Sequence, residues 1–185
     1  VLSYQADGYG EVLWLSRQAR LGTGKAVRGG IPICWPWFGP HPQGGDRPAH
    51  GFVRTRPWRV VTAHSDENGT RLTLAPNEPP AHPDWPHTAE VSLEIVLSAT
   101  LTLSLTTRNT GGSAFTLTQA LHSYFRVEDI AAVQVDGLQH VAFIDQLDSG
   151  ALKHASGPLC ITCEVDRIYQ NLARPVTILD GSERR

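Results

Sequence analysis

The chain has 185 residues, of which 41% are hydrophobic and 18% charged, and its formal net charge at pH 7 is −2. This balance is typical of a globular protein and gives no overall field that would attract nucleic acid or an anionic membrane. Basic residues form no stripe, and no apolar run reaches the ~18 residues of a membrane span. We therefore expect one domain over residues 1–185, a monomer without a nucleic-acid or membrane partner.

Cysteine content and the chain ends bear on where the protein works. Cys34, Cys160 and Cys163 are an odd number of cysteines, which argues against a disulfide framework and favours a reducing, cytoplasmic compartment. The first residues have neither the basic nor the apolar region of a signal peptide, and the sequence contains no methionine. We expect the chain to be a segment of a longer gene product.

The predicted elements begin with a short strand at residues 11–15, followed by a long irregular segment at residues 28–58. This segment holds many glycines and prolines, which neither a helix nor a strand tolerates in such number. It is also too apolar to stay disordered. The apolar residues are Ile31, Ile33, Trp35, Trp37 and Phe38. We predict an ordered, aromatic-walled loop that presents basic groups and a histidine.

From residue 58 onward the pattern is that of strands. Residues 58–64 and 70–75 flank an Asp-Glu-Asn-Gly turn, and residues 89–97 and 100–109 alternate apolar with polar side chains. Shorter extended runs follow at 115–125, 133–135, 141–143, 159–163, 168–169 and 176–179. No window of eleven or more residues has the apolar stripe of a helix. The pattern predicts an all-β fold, and the turn spacing does not separate a sandwich from a barrel.

Motifs for metals and cofactors are weak. Cys160 and Cys163 have the spacing of metal ligands, but no second pair in the sequence completes a site. Core or surface cysteines are the better interpretation. The sequence has no nucleophile elbow, P-loop or dinucleotide-binding glycine pattern. We expect neither a metal nor an organic cofactor.

Five side chains are candidates for chemistry, each with a structural alternative. Arg28 and Arg54 could hold phosphate or carboxylate oxygens through their guanidinium groups, or lie solvated at the surface. His50 precedes a glycine and His122 ends an extended run. The two could be a general acid and an orienting donor, or structural histidines. Asp166 follows a predicted strand and is equally open to both interpretations.

Four motifs in chain order resemble one known family. They are RGGIPICWPWFGP, PAHGFVRTRPW, ALHSYFRV with VDGL after it, and VDRIYQN. Together they are similar to the hexose-phosphate mutarotases, the glucose-6-phosphate 1-epimerases of the aldose 1-epimerase (galactose mutarotase-like) superfamily. The resemblance covers nearly the whole chain, and four ordered motifs are far more specific than any one alone.

The resemblance implies a large antiparallel β-sandwich and an isomerase that interconverts the anomers of a hexose 6-phosphate without a cofactor. His122 matches the general acid that protonates the ring oxygen. His50 matches a second histidine that hydrogen-bonds the substrate near that oxygen. Arg28 and Arg54 match basic residues associated with the phosphate, and Asp166 matches an aspartate that binds sugar hydroxyls.

The family's catalytic base is a glutamate on a strand beyond the VDRIY motif, and this chain ends at Arg185. None of Glu128, Glu164 or Glu183 lies in a comparable context. We therefore expect the 185 residues to lack strands at both ends of the sandwich and to be inactive by themselves.

Two alternatives remain open at this stage. One is a mutarotase of unphosphorylated aldoses, which would not need two arginines near one ligand. The other is a non-catalytic carbohydrate-binding β-sandwich. Trp35 and Trp37 could cover the apolar face of a pyranose, or they could belong to the core.

Overall fold

The computed structural model describes residues 1–6, 8, 10–22 and 24–181. The chain forms two compact units, residues 1–126 and residues 127–185. The single domain expected over residues 1–185 stays a prediction.

The described residues of the first unit form eight strands. They are β1 (Gln5–Ala6), β2 (Gly10–Glu11), β3 (Ile33–Cys34), β4 (Trp58–Asp66), β5 (Gly69–Pro76), β6 (Ala89–Leu97), β7 (Leu101–Asn109) and β8 (Ala120–Leu121). Strands β4 to β7 form a four-stranded antiparallel meander, β3 pairs with β8, and β1 pairs with β2. A 3₁₀ turn at Val53–Thr55 leads into β4.

The meander confirms the strands predicted from alternation and from the turn signal. Asn68 donates its backbone N–H to the Asp66 carboxylate at 2.8 Å and closes the β4–β5 hairpin. In β6, Val91 and Leu93 are buried, while the side chains between them are more exposed. The period of two places the apolar side chains of a strand on one face, where they pack against the core.

The loop at residues 28–58 is irregular, as predicted, and supplies much of the core of this unit. The buried cluster consists of Trp35, Trp37, Phe52, Val53, Trp85, Ala89 and Val91. Trp35 is 0% exposed and Trp37 is 2% exposed. Trp35 donates its indole N–H to the Thr107 hydroxyl at 2.9 Å, and Trp37 donates to the Pro48 carbonyl at 2.9 Å. Both tryptophans are core residues with no exposed face for a sugar.

In the second unit, the residues that the structure describes form six short strands and two 3₁₀ turns. The strands are β9 (Gln134–Asp136), β10 (Ala142–Asp145), β11 (Ala151–His154), β12 (Leu159–Cys160), β13 (Arg167–Tyr169) and β14 (Thr177–Leu179), and the turns are Ile130–Ala132 and Gln146–Asp148. They form two antiparallel sheets, ordered β11-β10-β13 and β12-β9-β14. Phe143 is buried in this unit, and the guanidinium carbon of Arg167 lies 4.4 Å from the centroid of its ring.

The prediction of an all-β chain is confirmed. Within the described residues, the helical segments are all three-residue 3₁₀ turns. None of them is long or apolar enough to cross a membrane.

Two local predictions differ from the structure, and one strand is not predicted at all. Residues 115–125 contain only the two-residue strand β8, and residues 11–15 make isolated pairings through Leu13 and Leu15 instead of a continuous strand. Strand β11 was not predicted, because its Leu152 side chain is 63% exposed and its sequence has no apolar alternation.

Candidate active site

Backbone hydrogen bonds align residues 30–36 of the loop antiparallel to residues 118–124. His122 donates its backbone N–H to the Pro32 carbonyl at 3.0 Å, and Tyr124 donates to the Gly30 carbonyl at 2.9 Å. Proline has no N–H to return, so the pairing is one-sided at Pro32. This alignment fixes His122 just beyond β8, beside the irregular loop.

His50 is held by an unusual backbone conformation. Its φ is +66°, and its backbone N–H donates to the Gly39 carbonyl at 2.8 Å. The Gly39 N–H donates to Nδ1 of His50 at 3.1 Å. Because Nδ1 accepts this bond, the neutral ring carries its proton on Nε2 and can donate from there.

Three rings meet at this point of the first unit. The ring centroids of His50 and His122 are 5.9 Å apart. Phe38 lies 5.0 Å from His50 and 5.9 Å from His122, and its side chain is 42% exposed. The Tyr124 ring lies 4.8 Å from the His122 ring. The two predicted histidines are therefore neighbours, although 72 positions separate them in the sequence.

Arg54 adds positive charge beside the histidines. It lies in the 3₁₀ turn, and its Nη2 donates to the Ala49 carbonyl, the residue before His50, at 2.9 Å. The same side chain helps to line a cavity of about 250 Å³ whose other walls are mainly apolar, among them Ile31, Ile33 and Trp58.

Burial and neighbouring charges act on the ionisation of His50. Burial lowers the pKa of His50 below its ordinary value, and the nearby Arg54 and His122 lower it further. Both causes disfavour a positive charge on His50. At neutral pH the His50 ring is therefore neutral, and its Nε2–H is able to donate a hydrogen bond.

Two buried polar atoms in this cluster have no hydrogen-bond partner among the described residues. They are Nδ1 of His122 and Nε of Arg54. A buried polar atom without a partner costs roughly 1–3 kcal/mol, so each one needs a physical explanation, such as a catalytic role or a bound water or ion. An anionic, hydroxyl-rich ligand has the groups that both atoms need.

The other two predicted site residues are placed differently. Arg28 is exposed, and its backbone carbonyl accepts from Ser16 N–H at 3.0 Å. Asp166 belongs to the second unit, where it is exposed and directly precedes β13, with its carbonyl accepting from Gln146 N–H at 2.9 Å. The structure brings together His50, Arg54 and His122. The assigned roles of all five residues stay predictions.

Sequence reasoning missed Phe38 and Tyr124 as neighbours of the histidines. The signal for Phe38 lies in the order Trp-Pro-Trp-Phe: Trp35 and Trp37 are buried, and the next residue faces outward. Within the described residues, no three His, Cys, Asp or Glu side chains converge in a way that would hold a metal ion.

Comparison with known proteins identifies relatives of this chain. The sequence profile of the family described as aldose 1-epimerase matches residues 1–184. A Salmonella typhimurium protein named "Putative glucose-6-phosphate 1-epimerase" is 40% identical over 189 residues, covering 100% of this chain and 62% of that protein. An Escherichia coli protein of the same name is 38% identical over 173 residues, covering 92% of this chain and 57% of the relative.

A solved structure has the same fold. The crystal structure titled as "a putative mutarotase" from Salmonella typhimurium matches with a TM-score of 0.86 at 37% identity, over 97% of this chain and 60% of that one. This match confirms the predicted β-sandwich of the mutarotase type. The chain spans about three-fifths of the length of the curated relatives it matches, 62% and 57% for the two named above. The resemblance drawn from the four motifs is confirmed, and the chain belongs to the aldose 1-epimerase family.

Proposed function

We propose that the protein containing this chain interconverts the α and β anomers of a hexose 6-phosphate, with glucose 6-phosphate as the substrate. The observation that carries the proposal is the cluster of His50, His122 and Arg54, in which two buried polar atoms lack partners among the described residues. The names of the relatives, which refer to glucose-6-phosphate 1-epimerase, support the same substrate.

The reaction is a reversible ring opening. A base removes the proton from the anomeric hydroxyl while an acid protonates the ring oxygen, and the bond between C1 and the ring oxygen breaks to give an open-chain aldehyde. Rotation about the C1–C2 bond presents the other face of the carbonyl. Reclosure with the proton transfers reversed gives the opposite anomer, so atoms and charge balance without an external reactant.

His122 is the proposed general acid. Imidazole titrates near neutral pH and can therefore both give and take back a proton within one turnover. His50 complements it, since its lowered pKa keeps it neutral and its Nδ1 is occupied by the Gly39 N–H. The remaining Nε2–H of His50 is the proposed donor that orients the ring oxygen towards the acid.

Arg54 and Arg28 are the proposed phosphate ligands, and Asp166 the proposed ligand of sugar hydroxyls. Guanidinium groups form strong charge-assisted hydrogen bonds with phosphate oxygens. Phosphate binding supplies energy remote from the reacting carbon, which can be used to hold C1 and the ring oxygen in place. The proposed base is a glutamate beyond residue 185, so the activity is assigned to the whole protein. Three free cysteines agree with a reducing cytoplasm as its location.

The test is anomer exchange of glucose 6-phosphate, followed by NMR with the complete protein and its His122→Ala variant. We expect the variant to lose roughly 10²–10⁴ in rate, the usual contribution of a general acid. Unchanged exchange in the variant would remove His122 from the mechanism. Faster exchange of free glucose than of glucose 6-phosphate would favour a mutarotase of unphosphorylated aldoses. Sugar binding without any exchange would indicate a non-catalytic carbohydrate-binding protein.

A further inference from the structure

We propose that Phe38 is the platform on which the pyranose ring of the substrate rests, and that it sets the affinity for the sugar part of the molecule. This inference rests on the function proposed above. It assigns a role to a residue outside the acid, the orienting donor and the phosphate ligands.

Exposure separates Phe38 from the other aromatic residues of the loop. Trp35, Trp37 and Phe52 are 0%, 2% and 5% exposed and belong to the core. Trp58, at the end of the loop, is partly buried and packs against that core. Phe38 is 42% exposed. A phenylalanine that leaves this much apolar surface in water gains most from a ligand that covers it.

The position of the ring fits a ligand that both histidines must reach. Phe38 is the one ring in the described residues that contacts both His50, at 5.0 Å, and His122, at 5.9 Å. In the part of the chain that the structure describes, the Tyr124 ring contacts the His122 ring but not the His50 ring. A molecule resting on Phe38 therefore has its edge beside both imidazole groups.

The backbone on both sides of Phe38 is fixed. The Phe38 N–H donates to the Thr118 hydroxyl at 2.9 Å, and the Thr118 N–H donates to the Pro36 carbonyl at 3.1 Å. The next residue, Gly39, forms the two hydrogen bonds with His50. The platform and the orienting histidine are thus joined through one residue, so the distance between sugar face and Nε2 donor is set by the loop and not by a mobile side chain.

The chemistry of the sugar suits this surface. In a pyranose with equatorial hydroxyl groups, C–H bonds point out of the two ring faces and hydroxyls point from its edge. An aromatic ring covers such a face, while charged and polar groups bind the edge. The C–H groups at C3 to C5 take no part in the proton transfers, so contact with them contributes to binding of substrate and transition state alike.

The experiment compares Phe38→Leu and Phe38→Tyr in the complete protein, with Phe125→Leu as the control. Phe125 is 50% exposed and has no described ring contact with His50 or His122. For glucose 6-phosphate, we expect Phe38→Leu to raise KM about threefold to tenfold, the effect of losing one aromatic contact, with kcat and the pH profile unchanged. Phe38→Tyr keeps the ring and should therefore have a lower KM than Phe38→Leu. Phe125→Leu should match the wild type.

Two results would overturn the proposal. One is an unchanged KM in Phe38→Leu. The other is a fall in kcat with a shifted pH profile, which would mean that Phe38 only supports the histidines. If the wild type exchanges anomers and either result is found, this inference fails and the proposed function stands. If the wild type does not exchange anomers, the proposed function fails, and the role of Phe38 is tested by calorimetric binding of glucose 6-phosphate. In that case Phe38→Leu should bind glucose 6-phosphate more weakly than the wild type. Equal affinity of the two proteins, or no binding by the wild type, would overturn the proposed role of Phe38.

Discussion

His50 and Gly39 are joined by two hydrogen bonds, one in each direction. The His50 N–H donates to the Gly39 carbonyl at 2.8 Å, and the Gly39 N–H donates to Nδ1 of the His50 ring at 3.1 Å. The first bond holds the backbone in its left-handed conformation, and the second fixes the tautomer. Nδ1 of the imidazole is therefore an acceptor that holds the loop, while Nε2 can donate to a ligand. Substitutions that keep one of these groups and remove the other can test the two roles separately.

His50→Asn should keep the acceptor for the Gly39 N–H and lose the Nε2 donor that is proposed to bind the substrate. Asparagine tolerates a positive φ better than most residues, and its side-chain oxygen can take the place of Nδ1 as acceptor for Gly39. It has no group at the position of Nε2. We expect a stability within about 1 kcal/mol of the wild type and a large loss in kcat/KM for glucose 6-phosphate.

The matched comparison is His50→Val. A β-branched residue is strained at a positive φ, and valine has no acceptor for the Gly39 N–H. Unfolding in urea should be clearly easier for this variant than for His50→Asn. Equal stability of the two variants would show that the Gly39 bond has no structural role. Full activity of His50→Asn would rule out Nε2 as the donor.

The lowered pKa of His50 predicts how stability depends on pH. The unfolded chain has a histidine pKa of about 6.5, and the folded value lies below it. Between these two values the unfolded state binds more protons, so this contribution to stability is complete above about pH 6.5 and is lost as pH falls towards the folded pKa.

The measurement is the urea midpoint of the complete protein at about pH 7.5 and about pH 5.5, for the wild type and for His50→Asn. The asparagine variant lacks this titration and should lose less stability on acidification. An equal loss in both proteins would contradict the assignment. NMR titration of the His50 ring gives its pKa directly. A midpoint above about 6.5 would also contradict the lowered pKa of His50.

Gly51 should be far more sensitive to alanine than another glycine with the same backbone conformation. Gly51 and Gly44 have φ of +67° and +66°. A Cβ at Gly51 would collide with the Trp35 carbonyl, whereas one at Gly44 would meet nothing within 4 Å. We expect Gly44→Ala to cost about 1 kcal/mol and Gly51→Ala more than about 3 kcal/mol in free energy of unfolding. Equal losses in urea would show that the loop can move away from Trp35.

Replacing Arg54 should raise KM for the phosphorylated sugar much more than KM for the free sugar. Arg54→Lys keeps the charge but loses the guanidinium fork. A charge-assisted hydrogen bond is worth roughly 1.5–3 kcal/mol. We therefore expect KM for glucose 6-phosphate to rise about tenfold to a hundredfold, with little change for free glucose.

Arg56, which directly follows the same turn, is the control. Its guanidinium lies 4.5 Å from the Phe52 ring centroid and also bonds the Ala81 carbonyl. Arg56→Lys should change stability and leave the preference for phosphorylated sugar as it is. Equal effects of Arg54→Lys on both sugars would count against a phosphate site at Arg54.

Local patterns explain why the meander could be predicted. Strands β4 to β7 carry the alternation and the turn residues that specify an antiparallel hairpin, and each of them pairs with a neighbour in sequence. Such strands need no information from distant parts of the chain. The predicted run at residues 115–125 differs, because its partner is the loop at residues 30–36. Pro32 and Pro36 have no N–H for a continuous ladder, so only the two-residue strand β8 forms.

The sequence by itself determined the all-β class, the meander, the family and the five candidate residues, since each depends on local spacing or on ordered motifs. Only the tertiary structure decided which of them meet. It buried Trp35 and Trp37, exposed Phe38, and set His50 and His122 5.9 Å apart. The physical reason is that Thr118, His122 and Tyr124 donate their backbone N–H groups to the carbonyls of Pro36, Pro32 and Gly30, which lie far away in the sequence. No local propensity specifies such a pairing.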